Sequence, residues 1–153
     1  MNGIENRIIE LGFVLPESPK PVAAYIAAKR VGNLVFTAGQ LPIANGDLKY
    51  TGLLGQNVEI EEAKKAAQIC TMNALAAVKE IAGDLECILQ IVRVVGYIAS
   101  VPTFTQQPAV VNGASELLLA IFGESGKHAR SAIGVASLPL NASVEIELTV
   151  EVK

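Results

Sequence analysis

The chain has 153 residues, a net charge of −3 and apolar side chains at 51% of positions, enough for one domain with a full core that needs neither disulfides nor metal. Its twelve Lys and Arg are scattered, with Lys29-Arg30 and Lys64-Lys65 the adjacent pairs, which argues against the clustered basic face of a nucleic-acid binder. The two cysteines, Cys70 and Cys87, fit no zinc spacing, and a single histidine cannot complete a metal site with them.

Aromatic residues are few, at 5%, and Trp is absent, so Ala, Val, Ile and Leu must build the core. The mean hydropathy of +0.42 would leave a monomer with an apolar surface, and such patches mark association. A cyclic homo-oligomer is therefore expected. Ile88 to Val101, the longest apolar run, is broken by Gln90 and Arg93 and falls short of the roughly 20 residues that span a bilayer. The N-terminus carries Glu5 and Glu10 and shows no basic-then-apolar leader. The expectation is a soluble cytoplasmic protein, a single domain over residues 1–153 in which 1–20 form a helical extension.

In chain order, Ile4, Ile8, Ile9 and Leu11 predict a short helix stopped by Gly12. Pro16, Pro19 and Pro21 then impose an extended approach. Residues 23–31 and 34–39 predict two strands joined by a Gly32-Asn33 turn. Residues 42–54 read as a loop, a candidate rim or lid. Ala63, Ala66, Ala67, Cys70, Ala74, Ala77, Val78 and Ile81 repeat at helical spacing across 60–82. Acidic residues open that helix and Gly83 ends it. A strand is predicted over 88–99, a helix over about 108–122, and a strand over 131–137. The last strand, 144–152, alternates strictly: Val144, Ile146, Leu148, Val150 and Val152 face one way, Glu145, Glu147, Thr149 and Glu151 the other. The order helix, β, β, α, β, α, β, β predicts an α+β fold: one mixed sheet with the two main helices packed on one face.

Candidate functional residues follow from this layout. Arg130 enters a strand that is otherwise small and apolar, where a guanidinium is costly unless it is paired or awaits an anion. Its planar fork suits a carboxylate; a structural ion pair with Glu145 or Glu147 is the alternative. The Leu138-Pro139 corner lets the two strands run back side by side, so Arg130 and Glu145 can share a cleft in which Glu145 takes and gives protons; a merely solvated Glu145 is the alternative. Gly39 and Gln40 end the second strand, where backbone can approach a ligand or simply bulge. Tyr25 and Gln40 can offer a hydroxyl and an amide, or only pack. Asn112 and Thr37 are weaker candidates. No Ser-His-Asp set, phosphate loop or metal cluster can be assembled, which argues against an activated nucleophile and a nucleotide-dependent reaction.

Two stretches resemble a known family. ARSAIGVASLPLNASVEIE is similar to the signature of the RidA/YjgF family of reactive-intermediate (imine and enamine) deaminases, and GNLVFTAGQLPI is similar to its first-hairpin motif. The resemblance spans about residues 20–152. The length, the leading helix and NGASELLLAIFGESGKHARSAIGVASLPLNA resemble its longer, YjgF-like or chorismate-mutase-like branch.

The resemblance implies a chorismate-mutase-like fold, a homotrimer with clefts between subunits, no cofactor, and hydrolysis of 2-imino acids to 2-keto acids and ammonia. It implies that Arg130 clamps the substrate carboxylate, that the Ala132 carbonyl helps place a water, and that Glu145 handles protons. Tyr25 would line the cleft from a neighbouring subunit, Gly39 would permit close approach, and Gln40 and Asn112 would belong to the binding site. On this reading His128 is a bystander. Two departures stand out: Ala38 replaces a common serine, and Ala132 replaces a common cysteine. The second is tolerable if that position contributes backbone; the first leaves the substrate open to larger imino acids. The alternatives are a non-catalytic small-carboxylate-binding or regulatory protein and, with little support from an acidic chain, an endoribonuclease or translation inhibitor.

Overall fold

A computed structural model describes residues 3–153. The element order is α1 (Ile4–Glu10), β1 (Ala28–Val31), β2 (Leu34–Thr37), β3 (Ile43–Ala44), β4 (Asp47–Leu48), α2 (Ile60–Ala82), β5 (Ile88–Ala99), α3 (Gln107–Phe122), β6 (Ala129–Val135) and β7 (Val144–Val152), with short 3-10 turns at Leu85–Cys87, Gly123–Gly126 and Pro139–Asn141. The main sheet has five strands in the order β1-β2-β7-β5-β6. It is mixed: β5 pairs β6 in parallel, and its other pairings are antiparallel.

Both main helices lie on one face. On β7 the five apolar side chains are buried and the intervening residues are half-buried, so the alternation read from the sequence is the division between core and open face. The helix α2 begins with a capping box, in which the Glu59 and Glu62 side chains each bond the other's backbone N–H. Its alanine stripe is fully buried, and small side chains there let the helix lie close on the sheet. Cys70 is buried on this stripe, its Sγ donating weakly to the Val144 carbonyl at 3.7 Å. The two helices also approach each other closely. A Cβ on Gly113 would lie 2.4 Å from the backbone oxygen of Lys64, an atom that cannot swing aside. Gly113→Ala is therefore expected to destabilise the fold by about 1–3 kcal/mol by overpacking, although alanine intrinsically favours a helix by about 1 kcal/mol. Urea unfolding monitored by circular dichroism would measure the balance.

The N-terminal helix α1 docks beneath α3. Ile8 is buried, the Arg7 Nε donates to the Ala120 carbonyl at 2.8 Å, and Glu5 pairs with Lys79 of α2 at 2.6 Å.

Four expectations need correction. The first strand is shorter than 23–31, because β1 starts at Ala28, which pairs with Thr37. Before that point the chain leaves the sheet, and Val22, Tyr25 and Ile26 are exposed. The apolar character that suggested a strand is not used by this chain's own core. The second strand stops at Thr37, where a bulge intervenes. From Phe36 to Gln40 there are four residue steps, against three from Thr149 to Ile146, so one extra residue is accommodated. The Thr37 hydroxyl accepts from the Leu148 N–H at 2.9 Å, which makes Thr37 a repair of the ladder. The loop 42–54 contains a small hairpin, β3–β4, turning at Asn45-Gly46 with φ of 53° and 81°, the conformation of a type I′ turn. Finally, β6 runs Ala129–Val135, two residues earlier than predicted, because its parallel register with β5 begins at Arg93↔Ala129.

Candidate functional site

The candidate residues fall into two groups. The first surrounds the bulge after β2. Gln40 continues the pairing, its N–H donating to the Ile146 carbonyl at 2.8 Å and its carbonyl accepting from the Ile146 N–H at 3.0 Å. This holds Gly39 against the neighbouring residue of β7, Glu145. A Cβ on Gly39 would sit 2.6 Å from the Glu145 Oε1, so only glycine lets the carboxyl group lie there. Burial, and secondarily the neighbouring Glu147 carboxylate, raise the Glu145 carboxyl above the ordinary glutamate range, which favours a group that can hold a proton. Glu147 is itself bonded by the Tyr97 hydroxyl, at 2.9 Å. The Gln40 side chain is buried and donates to the Ala38 carbonyl at 3.2 Å, so it packs. Tyr25, Gly39 and Gln40 line a common cavity of about 660 Å³, walled on one side by Pro19 and Lys20 of the extended N-terminal approach.

The second group is built on α3 and the edge strand β6. Arg130 is exposed. Its Nη1 donates to the Asn112 Oδ1 at 2.8 Å and to the Ser115 Oγ at 3.2 Å. An Nη1 carries two hydrogens, so both are engaged by neutral acceptors and the Nε–Nη2 edge remains as a free two-donor fork. Among the described residues no carboxylate pairs with Arg130; the ion pair with Glu145 or Glu147 does not form. Ala132 lies on the same strand. The Val135 carbonyl turns inward to the Ser100 N–H at 3.0 Å, and backbone direction alternates along a strand, so the Ala132 carbonyl points out from the sheet's open edge.

The two groups do not meet within one chain. β6 and β7 are not neighbours, since β5 lies between them. Arg130 is in register with Val94, which pairs with buried Leu148, whereas Glu145 is in register with Tyr97. Arg130 therefore projects on the helix-covered side of the sheet and Glu145 on the open side. The expectation that the Leu-Pro corner brings them into one intrachain cleft is corrected, because the corner crosses over β5. Glu145 groups instead with the first hairpin.

Two residues at the Arg130 group were not selected from the sequence. Ser115 bonds Arg130, and its Oγ lies 2.9 Å from the Nε2 of His128, so His128 is no bystander. The signals were present: Ser115 follows Asn112 by one helical turn and shares its face, and His128 stands two residues before Arg130 on an extended segment.

Similarity to known proteins agrees with this architecture. Residues 5–152 match the YjgF/chorismate mutase-like family, whose description adds a suggested endoribonuclease activity. Protein TCP17 of Trypanosoma cruzi is 37% identical over 142 residues, covering 92% of this chain and 89% of that protein. The 2-iminobutanoate/2-iminopropanoate deaminase of Dermatophagoides farinae is 31% identical over 143 residues, covering 90% and 93%. The crystal structure of Atu1372 from Agrobacterium tumefaciens, a protein of unknown function, superposes with a TM-score of 0.92 at 46% identity, covering 98% of this chain and 92% of that one. With an α+β sandwich of this topology and a match along nearly its whole length, the chain belongs to the YjgF/chorismate mutase-like family.

Proposed function

We propose that this protein hydrolyses reactive 2-imino and 2-enamino acids to 2-keto acids and ammonia, in clefts between the subunits of a homotrimer. The observation that carries the reading is Arg130: an exposed guanidinium with one nitrogen tethered by neutral acceptors and its two-donor edge unpaired. That edge matches an α-carboxylate. The relative named as a 2-imino acid deaminase supports the same class of substrate.

Each step can be assigned to residues of this chain. Arg130 of one subunit binds the carboxylate, with Asn112 behind it. The Ala132 carbonyl accepts a hydrogen bond from the attacking water. Glu145 of a neighbouring subunit, seated on Gly39, takes a proton as water adds to the C=N carbon. It returns that proton to nitrogen to give the carbinolamine, then carries the carbinolamine's hydroxyl proton to nitrogen in the same way, so that C=O forms as the C–N bond breaks and ammonia leaves. Tyr25 walls the cleft from Glu145's side. Imines hydrolyse readily, so orientation and charge neutralisation supply most of what is needed. The separation of Arg130 and Glu145 on opposite sides of the sheet supports a site assembled from several copies, and the open face offers exposed Phe36 and Ile133 for association. A mass three times the 16.1 kDa of the chain is expected by light scattering at micromolar concentration; a monomer would contradict the inter-subunit cleft.

The direct test is release of keto acid and ammonia from 2-iminopropanoate and bulkier imines generated in situ by an amino acid oxidase. Stabilisation by small carboxylates without turnover of any imine would point instead to a binding or regulatory protein. Gly39→Ala is a sharper probe of geometry. Its added methyl meets the mobile end of Glu145 rather than backbone, so turnover should fall about 10- to 100-fold while stability changes by less than about 1 kcal/mol. Steady-state kinetics with thermal unfolding of the same preparation would show both.

A further inference from the structure

We infer that Ser115 and His128 form a relay that positions the Arg130 guanidinium, a role that rests on the reading of Arg130 as the carboxylate clamp. The relay starts at the turn Gly123–Gly126, which is anchored on the end of α3: the Ser125 Oγ donates to the Phe122 carbonyl at 2.9 Å, and Gly126 is buried. The Gly126 carbonyl lies 2.7 Å from the His128 Nδ1. A carbonyl can only accept, so Nδ1 carries a hydrogen. In the neutral ring Nε2 is then an acceptor, and its neighbour at 2.9 Å, the Ser115 Oγ, must donate to it. With its hydrogen committed to His128, the Ser115 oxygen presents lone pairs to Arg130 and accepts from Nη1.

The order of donors is thus determined from the backbone of one turn to the guanidinium. Arg130 gives to Ser115, Ser115 gives to His128, and His128 gives to Gly126. Without the ring, the hydroxyl is free to rotate and no longer turns its lone pairs to Nη1 alone. Asn112, one helical turn before Ser115, accepts the other Nη1 hydrogen at 2.8 Å. Two acceptors on one rigid helix restrict the plane of the guanidinium, and that plane sets the direction of the free Nε–Nη2 edge. Holding a long, entropy-rich side chain in one geometry before the ligand arrives removes part of the ordering cost of binding. The other groups lining this corner, Leu119 and Lys127, do not enter the relay; the Lys127 Nζ pairs with Glu124 at 3.0 Å.

The test uses the full chain and four variants: Ser115→Ala, Ser115→Thr, His128→Ala and His128→Gln, with Arg130→Ala alongside. Pyruvate, a stable carboxylate with the form of the keto-acid product, is the binding probe by calorimetry, and imine turnover supplies kcat and KM. Ser115→Ala and His128→Ala are expected to weaken pyruvate binding and raise KM by about three- to tenfold, the scale of one lost neutral hydrogen bond, with kcat nearly unchanged. Ser115→Thr, which keeps the hydroxyl, and His128→Gln, which can still face Ser115 with a polar group, should recover most of the affinity. A purely structural role would lower the melting temperature without this split or this rescue. If Arg130→Ala weakens pyruvate binding and neither alanine variant does, the relay is wrong and the clamp stands. If Arg130→Ala itself leaves pyruvate binding unchanged, the clamp is wrong as well.

Discussion

Arg130→Ala is expected to remove nearly all imine hydrolysis and to raise the Kd for pyruvate by two to three orders of magnitude. The magnitude follows from what is lost. A bidentate, charge-assisted pair to a carboxylate held in a protein cleft contributes about 2–5 kcal/mol when one partner is truncated, and each 1.4 kcal/mol is about tenfold. Folding should be unaffected, because the side chain is exposed and its bonds are two neutral contacts to Asn112 and Ser115. Arg130→Lys should rescue only partly. An ammonium restores charge but not the planar two-donor edge, so a residual loss of about tenfold in affinity would remain. Calorimetry and steady-state kinetics on the three proteins read these effects. Full activity in Arg130→Ala would overturn the proposed reaction.

Glu145→Gln is expected to lower kcat by about 10²- to 10⁴-fold, the usual contribution of a general acid–base group, with little change in KM, since the amide keeps the shape and the contact with Gly39. The same variant should be more stable than the parent at neutral pH. Burial, and then the Glu147 carboxylate, raise the Glu145 carboxyl in the folded protein. For an acid raised on folding, the protonated form is favoured in the native state. Stability is fully present below the ordinary glutamate value of 4.5 and is lost as pH rises through the higher folded value. Above its folded value the parent must hold a half-buried carboxylate beside another carboxylate, a cost that glutamine does not carry. Melting temperatures should therefore diverge in favour of Glu145→Gln at neutral pH and converge below about pH 4.5. A variant that loses turnover yet gains stability only where the carboxylate would be ionised marks a group kept for chemistry at the expense of the fold. Equal melting curves at pH 4 and pH 8 would argue against a strained carboxylate at this position.

Much of this fold was legible in local patterns. The alternation of Val144 to Val152 became β7 with the expected bounds, and the alanine stripe of residues 60–82 became α2, ended by Gly83. The extended run Ile88 to Ala99 became β5. These elements are long, and their apolar period leaves one solution for which face is buried. Residues 23–27 were read as the start of the first strand because an apolar run does not say where its partner lies. In this chain the segment leaves the sheet before Ala28, and the cavity beside it is walled by the proline-rich approach.

The candidate site divides in the same way. Gly39, Arg130 and Glu145 were identifiable within two spaced motifs, and Tyr25 and Asn112 only as residue types outside them. Ser115 and His128 were not, because a hydroxyl on a helix and a lone histidine acquire meaning only through their contact with Arg130.

From sequence alone came the element types, the class of fold and the choice of an arginine in a small apolar strand and a carboxylate on an alternating strand as candidate residues. All of these depend on the period of a few neighbouring residues, which backbone geometry translates directly into faces. The tertiary structure decided which residues share a side. Placing β5 between β6 and β7 carries the strand of Glu145 past that of Arg130, and the registers with Tyr97 and Val94 turn the two groups to opposite faces. That separation follows from strand order and crossover, which no local pattern encodes. It is the reason Arg130 and Glu145 stand apart within one copy of this chain.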